Sequence, residues 1–401
     1  VFACSGGFAN RHVAAYGAAK RREENMSASP GAKPFFRAEQ VGSLLRPQRL
    51  LDARDQWKAG AITREALHAV EDDAITEAVR MQEEIGLEVI VDGEFRRENW
   101  WIDFIEQIDG IKIAEPDEVS GFKDAPDHKS GYVPKNVLTV GPVGRSHPIL
   151  IDDYEMLKAT TDRTPKITVP SPSRIHYHGG RPAVSVDAYP DMDEFWADVA
   201  KVYQDEIADL EAAGCTYIQI DDPVIAYFVD ESLHDNVRKL GEEPADLVKT
   251  YVRVLNDCIS KRKPETYLGF HLCRGNAKSS WIGSGGYDSI AEPIFAHLDV
   301  DAFFLEYDDE RSGDFEALRH VPAGKKVVLG LITTKFAPLE DKDGLKRRID
   351  DATRFVPLED LAISPQCGFA SVVEGNKITV DDERAKLALV VDVAREVWGE
   401  A

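Results

Sequence analysis

The stretch GFHLCRGN, residues 269–276, sets His271 and Cys273 on either side of a single leucine. On an extended strand, residues two apart share a face, so the imidazole and the thiol can reach one ion while Leu272 points away. Neutral imidazole and thiolate suit zinc (Zn2+), which normally takes four ligands in a tetrahedral arrangement. Two further candidates stand elsewhere in the chain: Glu306, which interrupts the apolar run of DAFFLEYDD, and Cys367 in ISPQCGFAS. A carboxylate inside an apolar strand needs a cation or a hydrogen-bond donor. Spacing alone also accommodates a plainer reading, a buried cysteine and a hydrogen-bonded histidine in a core strand.

Such residues do chemistry only if the fold brings them together. A short β-branched run followed by an amphipathic helical stretch recurs along the chain, and strands are expected over residues 40–45, 88–94, 137–141, 166–169, 216–221, 267–273, 302–307, 326–331 and 361–364. In PDMDEFWADVAKVYQDEIADLEAAG the residues Phe195, Val199, Val202, Ile207 and Leu210 form a helical stripe that Gly214 is placed to end. Alternation of this kind predicts a parallel sheet covered by helices. The polar residues cluster at strand ends: Gly93 and Glu94, Asp221 and Asp222, His271 and Cys273, Glu306, Cys367 and Gly368. A closed (β/α)8 barrel of the TIM type gathers such ends at one mouth, whereas a doubly wound sheet gathers fewer. Nine strands are one too many for the barrel, and the run near 137 follows SGFKDAPDHKSGYVPKN, so it reads as a short excursion.

With 401 residues, 71 acidic against 48 basic, the chain carries a formal charge of −23. That field repels nucleic acid and anionic membrane surfaces, and any anionic substrate must meet local cations. No apolar run approaches the roughly 18 residues that a membrane span requires. The five scattered cysteines argue against a disulfide framework and for a reducing compartment, so a cytoplasmic protein is expected. Residues 1–35, small and basic at first and containing Met26 before Ser-Ala-Ser-Pro, are expected to form a flexible extension, with residues 36–401 as a single barrel.

Taken in order, VGSLLRP, VIVDGEFRREN, DLEAAGCTYIQIDDP, HLC, FFLEYDDERSGDFEAL and ISPQCGFAS resemble successive motifs of the catalytic carboxyl-terminal half of cobalamin-independent methionine synthase, from about residue 38 to about residue 385. The resemblance implies that His271, Cys273, Glu306 and Cys367 are zinc ligands, in a barrel shared with uroporphyrinogen decarboxylase. It further implies that Gly42, Ser43, Glu94 and Asp221 hold the amino-acid end of homocysteine, which a methyl donor converts to methionine. An ammonium calls for carboxylates, and a substrate carboxylate for hydroxyl or backbone donors.

Several positions depart from the larger synthases. Lys335 in GLITTKFAP stands where they carry a histidine, and Arg274 follows the ligand pair as in shorter members of the superfamily. PSPSRIHYHGG, with His176, Tyr177 and His178, replaces a tryptophan-bearing donor stretch; its aromatics can stack on a flat donor or pack under a loop. Nothing the size of the amino-terminal half that helps bind polyglutamyl folate is present, so methyl-folate, a corrinoid or another donor all remain open. The competing readings are a thiol alkyltransferase of the epoxide–coenzyme M kind and a catalytically silent zinc- or thiol-binding barrel.

Overall fold

The computed structural model describes residue 33, residues 35–115 and residues 133–401. Within the compact unit Phe36–Ala401, ten strands are described: β1 (Val89–Ile90), β2 (Asp109–Ala114), β3 (Asn136–Gly144), β4 (Thr164–Pro165), β5 (Ile167–Pro170), β6 (Tyr217–Asp221), β7 (Tyr267–Leu272), β8 (Ala302–Glu306), β9 (Lys326–Ile332) and β10 (Leu361–Pro365). Strands β5 to β10 form a parallel sheet in sequence order, and β1 pairs in parallel with β4. Nearly every residue of the sheet is buried, which explains why these strands read as continuous apolar runs rather than alternating ones.

The residues before β1 complete the ring. Ala38 bridges Ile363 of β10 in parallel, Glu39 N donates to Ile363 O at 2.9 Å, and Leu44 N donates to Gly93 O at 3.0 Å just beyond β1. The expected strand over residues 40–45 is therefore an extended stave, not a regular strand. Its side of the ring is taken up with side-chain bonds, such as Gln40 Nε2 to Val89 O at 3.1 Å, in place of a ladder. Eight staves result, and the fold is a (β/α)8 barrel.

The run near 137 lies in β3, which pairs antiparallel with β2 and not with the barrel sheet. It is an excursion of the chain between β1 and β4. Residues 116–132, within its connection, and nearly all of the expected extension over residues 1–35 lie outside the described residues.

Helices cover the sheet where the apolar stripes predict them. Met192–Ala212 starts at Asp191, whose side chain accepts from Asp193 N, and turns its buried Phe195, Val199, Val202 and Leu210 to the barrel before β6 begins. Pro244–Ile259 buries Leu247, Tyr251 and Leu255 ahead of β7. Burying each such side chain contributes roughly 1.5–3 kcal/mol, so these stripes outweigh helix propensity in fixing the helices. Val380–Trp398 closes the unit and begins with a reciprocal capping box between Thr379 and Asp382. Among the described residues, no helix is long and apolar enough to cross a membrane.

Candidate metal and thiol site

Parallel strands in a barrel all end on one face, so side chains at their carboxyl ends meet although they are far apart in sequence. His271 is the penultimate residue of β7 and Cys273 follows that strand, while Cys367 lies just past β10. One ligand atom from each, the imidazole nitrogen and the two sulfurs, lie within 4.8 Å of one another, and all three residues are buried. Leu272, between the first two, packs in the apolar core.

Neither ring nitrogen of His271 makes a well-formed hydrogen bond among the described residues. A buried imidazole without such a partner is uncommon in a folded protein. The Cys273 thiol beside it holds the Cys367 thiol well below its ordinary range, against the effect of burial, and His271 and Lys335 act in the same direction. One buried thiolate-prone sulfur, a second thiol and an unsatisfied imidazole form a soft N/S donor set that fits zinc.

Glu306, the last residue of β8, is outside this three-residue group. Its Oε2 accepts from Arg274 N at 2.7 Å, and its Oε1 faces Arg311 Nη2 at 3.2 Å and Lys335 Nζ at 3.4 Å. Burial pushes this carboxyl up, but Lys335, then Arg274 and Arg311, outweigh it and hold it below its ordinary value. The cation that the sequence demanded for Glu306 is thus supplied by the protein itself.

The cluster opens into a pocket of about 630 Å³, counting its mouth, whose wall includes Ser43, Glu94 and Asp221. Gly93 and Glu94 both adopt left-handed backbone, with φ of 70° and 58°, which turns the chain sharply after β1. For a glutamate this conformation is uncommon, and such strain collects at functional sites. Thr168 Oγ1 donates to Glu94 Oε1 at 2.8 Å and Arg97 stands 3.7 Å from the same oxygen. Glu94 Oε2 is buried with no partner among the described residues. Burial raises the Glu94 carboxyl and raises that of Asp221 to about 7. Glycine at 42 allows a close approach here, because a Cβ would stand 2.7 Å from Thr168 Cγ2 and 3.2 Å from Glu94 Oε1 and would displace them.

The other residues singled out in the sequence divide between the pocket and its supports. His178 lines the pocket, its imidazolium disfavoured by burial and by Arg174. Tyr177 packs its ring against His178, Tyr227 and Phe228. His176 is turned into the core, 3.0 Å from Tyr251 Oη, and burial lowers its pKa to about 4. Arg274 has its guanidinium stacked on Tyr287 and spent on the carbonyls of Gly285, Glu306 and Ser312, so it braces the loop after β7 and does not line the pocket. Lys335 is buried, 3.4 Å from both Glu306 and Asp308, and is likewise absent from the pocket wall.

Sequence reading passed over Arg174, whose guanidinium lies 3.6 Å over the Trp101 ring on the pocket wall. It also passed over Gln219, buried behind Asp221. Arg174 follows Pro-Ser-Pro-Ser at a strand end, a position that could have drawn attention; Gln219, a polar residue inside the apolar run YIQID, broke its pattern as Glu306 did.

A (β/α)8 barrel with imidazole, thiols and carboxyls gathered at the carboxyl ends of its strands has the architecture of a barrel enzyme. Residues 36–396 match the family described as cobalamin-independent synthase, catalytic domain. The chain belongs to that family. It is 42% identical to the uncharacterized protein YxjG of Bacillus subtilis (strain 168), over 91% of this chain and 96% of that protein. It is 25% identical to the methionine synthase of Pyrococcus abyssi (strain GE5 / Orsay), over 84% and 86% of the two chains. It superposes with a TM-score of 0.73 on the crystal structure of the putative vitamin-B12 independent methionine synthase from Listeria monocytogenes, at 35% identity, covering 92% of this chain and 99% of that one.

Proposed function

We propose that this protein is a zinc-dependent methyltransferase that methylates the thiol of homocysteine to give methionine. The observation that carries the reading is the opening of the His271, Cys273 and Cys367 cluster into the same pocket as the two buried carboxyls of Glu94 and Asp221. Family membership and the likeness to the Pyrococcus protein support it.

The part given to each residue rests on the family resemblance, and its surroundings support it. His271, Cys273 and Cys367 would hold the zinc, and the family resemblance makes Glu306 the fourth ligand, which would be the weakest held because Arg311 and Lys335 compete for its carboxylate. When bound, zinc lowers the pKa of a thiol in contact with it, which makes the sulfur nucleophilic at neutral pH. Glu94 and Asp221 take the substrate ammonium, and the resulting ion pairs favour the charged form of both carboxyls. Ser43 and the backbone around Gly42 take the substrate carboxylate. The buried side chains of Glu94, Asp221 and His271 would hold the bound thiol in one orientation. An ammonium-binding pair of carboxyls has no purpose for a sulfonate thiol, which argues against the coenzyme M reading.

The test is to measure bound zinc and then supply homocysteine with mono- and polyglutamyl methyl-folate, methylcobalamin and small sulfonium donors in parallel, with coenzyme M as a rival thiol. Methionine formed from at least one donor, with homocysteine preferred over coenzyme M, is the expected result. Stoichiometric zinc with no methyl transfer from any donor would overturn it.

A further inference from the structure

We infer that Gln219, locked by Lys166 from inside the barrel, positions the amino-acid end of the pocket by holding both Asp221 and the backbone leading into Gly42 and Ser43. This rests on the homocysteine reading and says how its recognition site is kept in shape. Gln219 and Asp221 are two apart on β6, so their side chains share the inner face of that strand. Gln219 Nε2 donates to Asp221 Oδ1 and to Val41 O, both at 2.7 Å, and Gln219 Oε1 accepts from Lys166 Nζ at 2.9 Å. An ammonium only donates, so Lys166 must face the amide oxygen, and that contact settles which way the amide points.

Lys166 cannot turn away either. Its ammonium also donates to Glu39 Oε2 at 3.1 Å and to Gln40 O, and it stands 4.8 Å from the centre of the Phe304 ring. Glu39 is held in turn by Tyr217 Oη, which donates to its Oε1 at 2.7 Å. With Asp221 Oδ1 tied down, Oδ2 is the oxygen left for a ligand, and with Val41 O tied down, the stave carrying Gly42 and Ser43 is set relative to it. Gln219 does not line the pocket, so it is a positioning residue and not one that touches substrate.

The experiment compares zinc-loaded wild type with Gln219→Glu, which keeps an acceptor for Lys166 but removes the donors toward Asp221 and Val41, and with Gln219→Met, which removes both. Calorimetric titration with homocysteine and with 4-sulfanylbutanoate, the same thiol acid without the amine, reads the ammonium contribution separately. Wild type should prefer homocysteine; both variants should lose about tenfold or more in homocysteine affinity, and the amine-free thiol, which still uses Gly42 and Ser43 but not Asp221, should lose affinity by a clearly smaller factor, with zinc content and near-UV circular dichroism little changed. Equal losses for both thiols, or an unchanged preference in folded variants, would overturn the role of Gln219. Should Gln219→Met not fold, Gln219→Glu decides alone. Wild type without a preference for homocysteine would instead remove the amino-acid reading of the pocket, and the positioning role with it.

Discussion

Gly368 and Ser43 lie so close that a Cβ on Gly368 would overlap the Ser43 hydroxyl, and the neighbouring Phe369 N donates to Ser43 O at 2.8 Å. The loop after β10 and the first stave of the barrel are thereby clamped together next to Cys367. Gly368→Ala should push Ser43 out of place and cost roughly 1–3 kcal/mol of stability, as overpacking does. Steady-state kinetics should show the Michaelis constant for the thiol rising about tenfold or more. An unchanged constant would mean that Ser43 has no part in binding.

Removal of either sulfur should strip the metal site. Cys273→Ser and Cys367→Ser replace a soft ligand by a hard, neutral one, and zinc content measured by atomic emission should fall from about one per chain to near zero after mild chelation. Glu306→Gln should lose less, because its carboxylate is already engaged by Arg274, Arg311 and Lys335. Wild-type zinc retention in Cys273→Ser would refute the assignment.

Lys335 is paired with Glu306 and Asp308 in a site where all three side chains are almost wholly inaccessible to water. Lys335→Met removes a cation shared by two buried carboxylates, leaving Arg311 beside both and Arg274 on Glu306, and removing one partner of a buried pair costs roughly 3–5 kcal/mol. Chemical denaturation should show that loss, with Lys335→Arg much closer to wild type. A midpoint for Lys335→Met equal to wild type would show that the lysine carries little of the local charge balance.

A pH-dependent stability should come from Glu383, in the first turn of Val380–Trp398. It is buried, accepts from Leu45 N at 2.8 Å through Oε2, and burial pushes its carboxyl up to about 8. A carboxyl whose folded pKa exceeds its unfolded value of 4.5 binds its proton more tightly when folded. Its effect on stability therefore turns unfavourable as pH rises from the unfolded value through about 8. Glu383→Gln keeps an acceptor for Leu45 and does not titrate. Melting curves should show this variant level with wild type at pH 5 and more stable at pH 8.5, by on the order of 1–3 kcal/mol. A constant difference across that range would count against a buried, titrating Glu383.

Much of the barrel was legible because its strands are buried on both faces. Runs such as YIQID and AFFLE announce themselves, and Gly86, with φ of 105°, ends the helix Arg64–Ile85 just ahead of β1. The stave over residues 40–45, Gln-Val-Gly-Ser-Leu-Leu, departs from the expected strand because local composition says nothing of whether backbone or side chains meet its neighbours. The antiparallel pairing of β3 with β2 was likewise outside the reach of local pattern, since β2 was not expected as a strand.

By itself the sequence determined residue chemistry and periodicity: which side chains can bind a soft metal, that His271 and Cys273 share a face, and that β-branched runs alternate with helices. Only the tertiary structure decided that Cys367, beyond β10, meets them within 4.8 Å, that Glu306 is engaged by three neighbouring residues, and that Arg274 and Lys335 support the site from outside the pocket. The reason is physical. Periodicity sets the direction of a side chain relative to its own strand, whereas distance between strand ends follows from closing the ring, and burial then decides which charged groups must pair.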